Sequence, residues 1–189
     1  ADRLVEEYST GMKSKLNIAR ALLHDPPILF LDEPTIGLDP NSARKVREVI
    51  LELKREGKTI LLTTHNMFEA DALCDRVAII SRGRIIAVGT PSELKSKIAQ
   101  HKVVEVTLVG FGNGLLEKLR GMPGVVGVAT RIRDPVAGVA EVRVVYSDGL
   151  REILSPLLAS DVKVLSIRNL EPSLEDVFVA LTGERLEEG

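Results

Sequence analysis

Ile28-Leu29-Phe30-Leu31-Asp32-Glu33-Pro34 carries more information than any other stretch of this chain. Four apolar residues run directly into two adjacent carboxylates. The apolar run reads as a buried parallel strand. The acids then fall at the strand's C-terminal end, where open α/β sheets bind their ligands. Two carboxylates in that position suit a hydrated metal ion and a polarised water, the needs of nucleotide hydrolysis.

On the N-terminal side, residues 12–24 have a helical pattern, with Leu16, Ala19, Leu22 and Leu23 expected on one face. Asp25-Pro26-Pro27 stops that helix. On the C-terminal side, Gly37-Leu38-Asp39-Pro40 forms a turn and a helix start, with Asp39 as cap and Pro40 at the first helical position. Val46, Val49, Ile50 and Leu53 are expected to face inward, and Lys45, Arg47, Glu48, Glu52 and Lys54 to face water. Gly57 suits a C-terminal cap. Residues 59–63 read as a second buried strand ending at Thr64-His65-Asn66. A helix over 68–74 leads to a hairpin, 77–80 and 85–88, turned at Ser81-Arg82-Gly83-Arg84. Thr90-Pro91-Ser92-Glu93 has the spacing of a capping box.

The pattern changes around 97–102. Val104, Val106 and Leu108 alternate with polar neighbours, as in a strand. Residues 115–119 and 150–158 look helical; 125–132, 142–146 and 162–167 look like strands, the first two separated by a turn near Asp134-Pro135. Glu171-Pro172-Ser173 opens a last helix through Leu181, ended by Gly183, and the acidic tail 184–189 is expected to fray. The order β-α-β-β-α-β predicts a small ferredoxin-like α+β module with a terminal helix. Its charged residues show no catalytic constellation and read as solvated faces. The fold class is α/β: a partial P-loop NTPase-like parallel sheet with helices, followed by that module, divided as 1–98 and 99–189.

Composition narrows the function classes. With a net charge of −2 and 28% charged residues among 189, the chain has no polybasic character pointing to nucleic acid. Tryptophan is absent and aromatics are 3%, which disfavours base-stacking platforms. No apolar run approaches the roughly 20 residues of a membrane-spanning helix, and no secretory signal is visible at the start. Cys74 is the only cysteine, so no internal disulfide forms, consistent with a reducing cytoplasm.

Together these pieces resemble the ATP-binding subunit of ABC transporters. Tyr8-Ser9-Thr10-Gly11-Met12 looks like the family's signature motif and residues 28–33 like Walker B. Gly37-Leu38-Asp39-Pro40 looks like the D-loop, and His65 like the switch histidine. Four motifs in the family's order and spacing are far more specific than any one of them. The resemblance covers roughly residues 1–98. The remainder resembles the C-terminal accessory domain of drug-exporter-type members, such as the daunorubicin-resistance group, and its ending, Glu171 to Phe178, supports this.

The resemblance implies a role for each candidate residue, and the residue types fit. Ser9 and Gly11 open a helix whose free N–H groups and dipole favour an anion, and Gly11 allows close backbone approach. In the family this surface meets the γ-phosphate bound on a partner subunit. Thr10 departs from the usual glycine, a position at which related exporters vary. Asp32 is the expected Mg²⁺ partner, through water, and Glu33 the expected general base or water-positioning residue. His65 is assigned contact with the γ-phosphate and the attacking water. Asp39 would bridge two subunits near the phosphates, and it can cap its helix at the same time. Taken singly, Ser9 is an ordinary helix cap, Asp-Glu an ordinary loop pair and His65 a structural histidine, as His24 and His101 are read. Their common context promotes them.

No Gly-x-x-x-x-Gly-Lys-Ser/Thr occurs in this sequence. The Q-loop and the adenine-stacking aromatic, which lie upstream in the family, are missing too. The expectation is therefore the second half of a nucleotide-binding domain plus its accessory domain. Such a chain would be inactive alone, with weak or no ATP affinity and an apolar sheet surface left exposed. The complete protein would use ATP and Mg²⁺ and pair head-to-tail with a second nucleotide-binding subunit. It would drive transmembrane permease subunits from the inner face of the cell membrane. The alternative is a non-catalytic interaction or regulatory protein that keeps part of the fold. A soluble ABC ATPase acting on ribosomes or DNA would be expected to carry tandem cassettes or long coiled coils, and neither is visible.

Overall fold

The computed structural model describes residues 4–110, 112–158 and 162–182. The expected stop at Gly183 and the acidic tail lie outside the described residues. The chain forms two compact units, the first ending at Cys74 and the second beginning at Asp75.

In the first unit, a short 3₁₀ turn (Val5–Glu7) precedes helix α1 (Thr10–Leu22), strand β1 (Ile28–Asp32), helix α2 (Pro40–Arg55), strand β2 (Thr59–Thr63) and helix α3 (Met67–Leu73). β1 and β2 pair in parallel, from Ile28 beside Thr59 to Asp32 beside Thr63. Parallel pairing requires a crossover, and α2 supplies it. α2 starts as the sequence predicts, with Asp39 capping and Pro40 inside the first turn. Its C-cap is Glu56, followed by Gly57, whose φ is +87°. Lys58 N–H donates to Leu53 O and Gly57 N–H to Lys54 O, both at 3.1 Å, the paired bonds of a Schellman motif.

Leu31 packs with Ile18, Val46, Ile50 and Leu73 in the core, flanked by Ile60 and Leu62. Each such side chain contributes about 1.5–3 kcal/mol when fully buried. Three expectations need correction here. The strands are half-buried, not buried: Ile28, Phe30 and Leu61 share an exposed face, and Phe30 is 74% exposed. Helices cover only the other face, where Leu29 and Leu31 point. In α1 the inward stripe is Ser14–Ile18–Leu22 at i, i+4 spacing, so Ala19 and Leu23, one helical step away, are exposed. In α2, Ala43 is buried in place of Val49, and Arg47 and Lys54 do not simply face water. Lys54 Nζ donates to Leu73 O at 3.0 Å, and Arg47 is drawn to a buried carboxylate described below.

The second unit opens with an antiparallel hairpin, β3 (Val77–Ser81) and β4 (Arg84–Gly89), followed by helix α4 (Pro91–Ser96). The capping box is present: Glu93 N–H donates to Thr90 Oγ1 at 3.1 Å, and Thr90 N–H to Glu93 Oε2 at 2.8 Å. Next come β5 (Lys102–Val109), α5 (Asn113–Arg120), β6 (Val125–Asp134), β7 (Val139–Tyr146), α6 (Leu150–Leu158), β8 (Lys163–Leu170) and α7 (Leu174–Thr182). The sheet order is β6-β7-β5-β8, antiparallel throughout. This is the ferredoxin-like arrangement that the element order predicts. One sheet face buries Val104, Val106, Leu108, Val142 and Val144 against Leu116 and Leu119 of α5 and Ile153 and Leu157 of α6.

The other sheet face corrects the expectation of solvated charge. Register places Glu105 between Arg143 of β7 and Arg168 of β8. Glu105 is buried and accepts from Arg168 Nη2 at 2.5 Å. Arg143 reaches α7, with Glu175 Oε2 at 3.1 Å and buried Asp176 Oδ2 at 3.5 Å. Cross-strand opposite charges stabilise a sheet, and buried ones must be paired.

Candidate functional site

The parallel register brings Asp32, Glu33 and His65 together at the C-terminal edge of β1 and β2. Asp32 ends β1 with its carboxylate exposed, accepting from the hydroxyl of Thr63, its register partner. Glu33 follows with φ +43°, a left-handed conformation that costs a non-glycine residue of order 1–3 kcal/mol. Glu33 N–H donates to Thr63 O at 3.0 Å, extending the β1–β2 ladder by one residue, and Ile36 N–H donates back to Glu33 O at 3.2 Å. The strained backbone is therefore fixed by β2 on one side and by its own turn on the other.

The Glu33 side chain is committed to His65. Its Oε1 accepts from His65 N–H and from His65 Nδ1, each at 2.9 Å. A carboxylate only accepts, so Nδ1 carries the proton and Nε2 is the ring's other functional nitrogen. His65 remains half exposed. The strand ends thus deliver a carboxylate and an imidazole to one point, with a second carboxylate one residue away.

Ser9 and Gly11 lie at the start of α1. Ser9 Oγ caps that helix, accepting from Met12 N–H at 3.3 Å. A Cβ on Gly11 would lie 3.2 Å from Ser42 Oγ and 3.4 Å from Ser42 Cβ, so glycine permits the first turns of α1 and α2 to meet. Asp39 caps α2, accepting from Asn41 N–H and Ser42 N–H at 3.0 Å each. The Ser42 hydroxyl, with those amides, holds the Asp39 carboxyl below the usual aspartate range. Gly11 and Asp39 therefore meet through Ser42, apart from the bonds that join Glu33 to His65.

Two residues that sequence reasoning missed tie these pieces together. Ser14 Oγ donates to Pro34 O at 2.9 Å, linking α1 to the loop after Glu33. The i, i+4 spacing of Ser14 with Ile18 was the available signal. Glu69, fully buried, lies under the same loops, and an acid in the first turn of a helix gave no hint of it.

Among the described residues, no group of three or more His, Cys, Asp or Glu side chains could hold a metal ion unaided. One exposed carboxylate beside a hydroxyl and a second acid suits Mg²⁺, which keeps its waters and takes one or two carboxylates together with substrate phosphates. It does not suit a closed protein cage.

Residues 89–182 match the family described as the C-terminal domain of DrrA1-3-like ATP-binding proteins. Residues 3–71 match a family described as an AAA domain, putative AbiEii toxin, of a type IV toxin–antitoxin system. A fluoroquinolones export ATP-binding protein of Mycobacterium tuberculosis (strain CDC 1551 / Oshkosh) is 42% identical over 98% of this chain and 54% of its own length. The daunorubicin/doxorubicin resistance ATP-binding protein DrrA of Streptomyces peucetius is 40% identical over 96% of this chain and 54% of its own. Over nearly its whole length the chain is similar to ATP-binding proteins of export and drug-resistance systems, and residues 89–182 carry the DrrA-like C-terminal domain. It spans about half the length of the curated relatives it matches. The linearmycin resistance ATP-binding protein LnrL of Bacillus subtilis (strain 168) is a further relative, 34% identical over 96% of this chain and 58% of its own length. Among the described residues no helix is long and apolar enough to cross a membrane.

Proposed function

We propose that this chain is part of an ATP-hydrolysing subunit that energises an ABC exporter. The observation that carries the proposal is the Glu33 carboxylate bonded to His65 one residue beyond Asp32, at the C-terminal edge of a parallel strand pair. In this reading Glu33 is the general base: its carboxylate orients a water and accepts the proton as the water oxygen bonds to the γ-phosphorus and the bond to the β–γ bridging oxygen breaks, giving ADP and phosphate. His65, held by its Nδ1 bond to Glu33, turns Nε2 to the γ-phosphate and the attacking water, accepting from the water as a neutral ring or donating to the phosphate as an imidazolium. Asp32 would hold Mg²⁺, with Thr63 fixing the carboxylate. Bound there, Mg²⁺ would neutralise charge on the phosphate oxygens.

Ser9, Gly11 and Asp39 form the surface offered to a nucleotide on a second nucleotide-binding subunit in a head-to-tail dimer. Free N–H groups at the start of α1 supply the anion site. The remaining partners are transmembrane permease subunits, which place the protein in the cytoplasm on the inner face of the cell membrane; nucleic acid is not a partner. Residues 1–98 belong to the nucleotide-binding domain and 99–189 to an accessory domain in this proposal. The export relatives favour drug-like cargo.

The test is ATP hydrolysis by this chain, alone and mixed with a separately expressed segment carrying the relatives' phosphate-binding loop. Activity in the mixture that Glu33→Gln abolishes supports the proposal. Two folded pieces with no activity would favour a non-catalytic interaction or regulatory role.

A further inference from the structure

Glu69 has no exposed surface, and its partners come from three other segments. Oε1 accepts from Thr35 Oγ1 at 2.7 Å and from Arg47 Nη1 at 2.9 Å. Oε2 accepts from Thr64 Oγ1 at 3.4 Å. Thr35 lies two residues after Glu33, Arg47 in the middle of α2, and Thr64 immediately before His65. Thr64 Oγ1 in turn accepts from Asn66 N–H at 3.0 Å, so the turn bearing His65 is held on both sides. Asn66 Oδ1 accepts from Phe68 N–H and Glu69 N–H, fixing the start of the helix that carries Glu69. The Arg47 guanidinium lies 5.9 Å from the centre of the Phe68 ring, which holds the cation in place.

Stability is a poor explanation for such a residue. Burying an ion pair carries a desolvation penalty that well-packed apolar side chains avoid, so apolar residues at both 47 and 69 would serve the core as well or better, whereas losing one partner strands the other. What the pair does supply is direction. Every bond to Glu69 lands beside one end or the other of the Glu33–His65 contact, or on the helix between them.

We propose that Glu69 is a positioning residue for the Glu33–His65 pair, clamping the loop after β1 to the loop after β2. The proposal rests on the hydrolytic reading for its purpose, but its geometry can be tested without hydrolysis. The strained φ of Glu33 gives the clamp something to work against. Release of Thr35 or Thr64 frees the two loops to move apart, and the carboxylate then leaves His65.

The readout is the His65 amide in ¹H–¹⁵N NMR spectra of this chain. A backbone N–H donating to a carboxylate exchanges slowly and resonates downfield, and Glu33→Gln provides the reference for a weakened contact. In Glu69→Ala the His65 amide should exchange about tenfold faster, as for loss of a charge-assisted bond, and shift upfield. Thr35→Val, which removes one hydroxyl at constant shape, should shift the same resonance and raise its exchange roughly threefold. If Glu69→Ala does not give a folded spectrum, Thr35→Val decides alone. Faster exchange spread evenly over the chain, with the His65 resonance unmoved, would overturn the proposal and leave Glu69 a structural ion pair. Failure of the hydrolysis assay with these shifts intact would count against the proposed function only.

Discussion

A single oxygen of Glu33, Oε1, accepts from both the backbone N–H and the ring Nδ1 of His65 at 2.9 Å. The two residues are thirty-two positions apart, and only parallel pairing of β1 with β2 joins them. A carboxylate so engaged is held in one orientation, and it fixes which imidazole nitrogen faces away from it.

That bond makes His65→Ala a test of the pair. Removing the ring takes away one of the two bonds to Glu33 Oε1 and leaves the backbone bond and the charge in place. ATP turnover by the reconstituted protein should fall about 100-fold, in the range of a lost acid–base group, and phosphate-release assays would measure it. The thermal midpoint should change little, because His65 is half exposed.

Asp39 yields a pH prediction with a definite sign. Its carboxyl is held below the ordinary 3.8 by Ser42 and Asn41. A depressed pKa contributes stability above the unfolded value, and this is lost as pH falls through the lower folded value. Asparagine still caps a helix but does not titrate there. Wild type should therefore melt above Asp39→Asn at neutral pH, and the gap should close below about pH 4. Parallel melts across the acid range would reveal a gap that persists, which would contradict this.

Gly11 is set against Ser42 closely enough that a branched side chain will not fit without movement. Gly11→Val should cost about 1–3 kcal/mol, the range for overpacking. Gly11→Val with Ser42→Gly should recover part of that loss. Urea denaturation of the four proteins of the double-mutant cycle measures the coupling directly.

The open face of the two-stranded sheet predicts solution behaviour. Phe30, Ile28 and Leu61 are exposed together, and contiguous apolar surface binds dyes and promotes association. Phe30→Ser should lower fluorescence of a hydrophobic dye and raise the solubility of this chain, with circular dichroism unchanged.

In the second unit Leu119 is fully buried among Leu116, Ile153 and Leu157. Leu119→Ala should cost about 2–5 kcal/mol from lost burial and the cavity left behind. Chemical denaturation followed by a probe in that unit would register the shift.

Periodicity and capping chemistry, both local, made most of this fold legible. The β1 and β2 strands, the Asp39 and Thr90 caps, the Gly57 stop and the β-α-β-β-α-β order all follow from patterns a few residues long. The adjacency of Asp32 and Glu33 to a strand end was equally local, as was the position of His65. Burial was not. Whether Phe30 is covered depends on which elements lie over each sheet face, and alternation along a strand is silent about that. Arg47 was expected in water because lysine, arginine and glutamate usually are, and only packing against α3 reveals the buried acid that draws it in. Glu105 was misjudged for the same reason, since its two arginines come from neighbouring strands.

The sequence by itself determined the elements, their order, the resemblance to ATP-binding proteins and the choice of candidate groups, because each is written in residue types at short spacing. The tertiary structure alone decided that Glu33 holds His65, that Gly11 meets Ser42 and that Glu69 joins three segments. Those relationships depend on strand register and helix packing, which bring distant residues within hydrogen-bond reach, and no local pattern encodes a distance between residues so far apart in the chain.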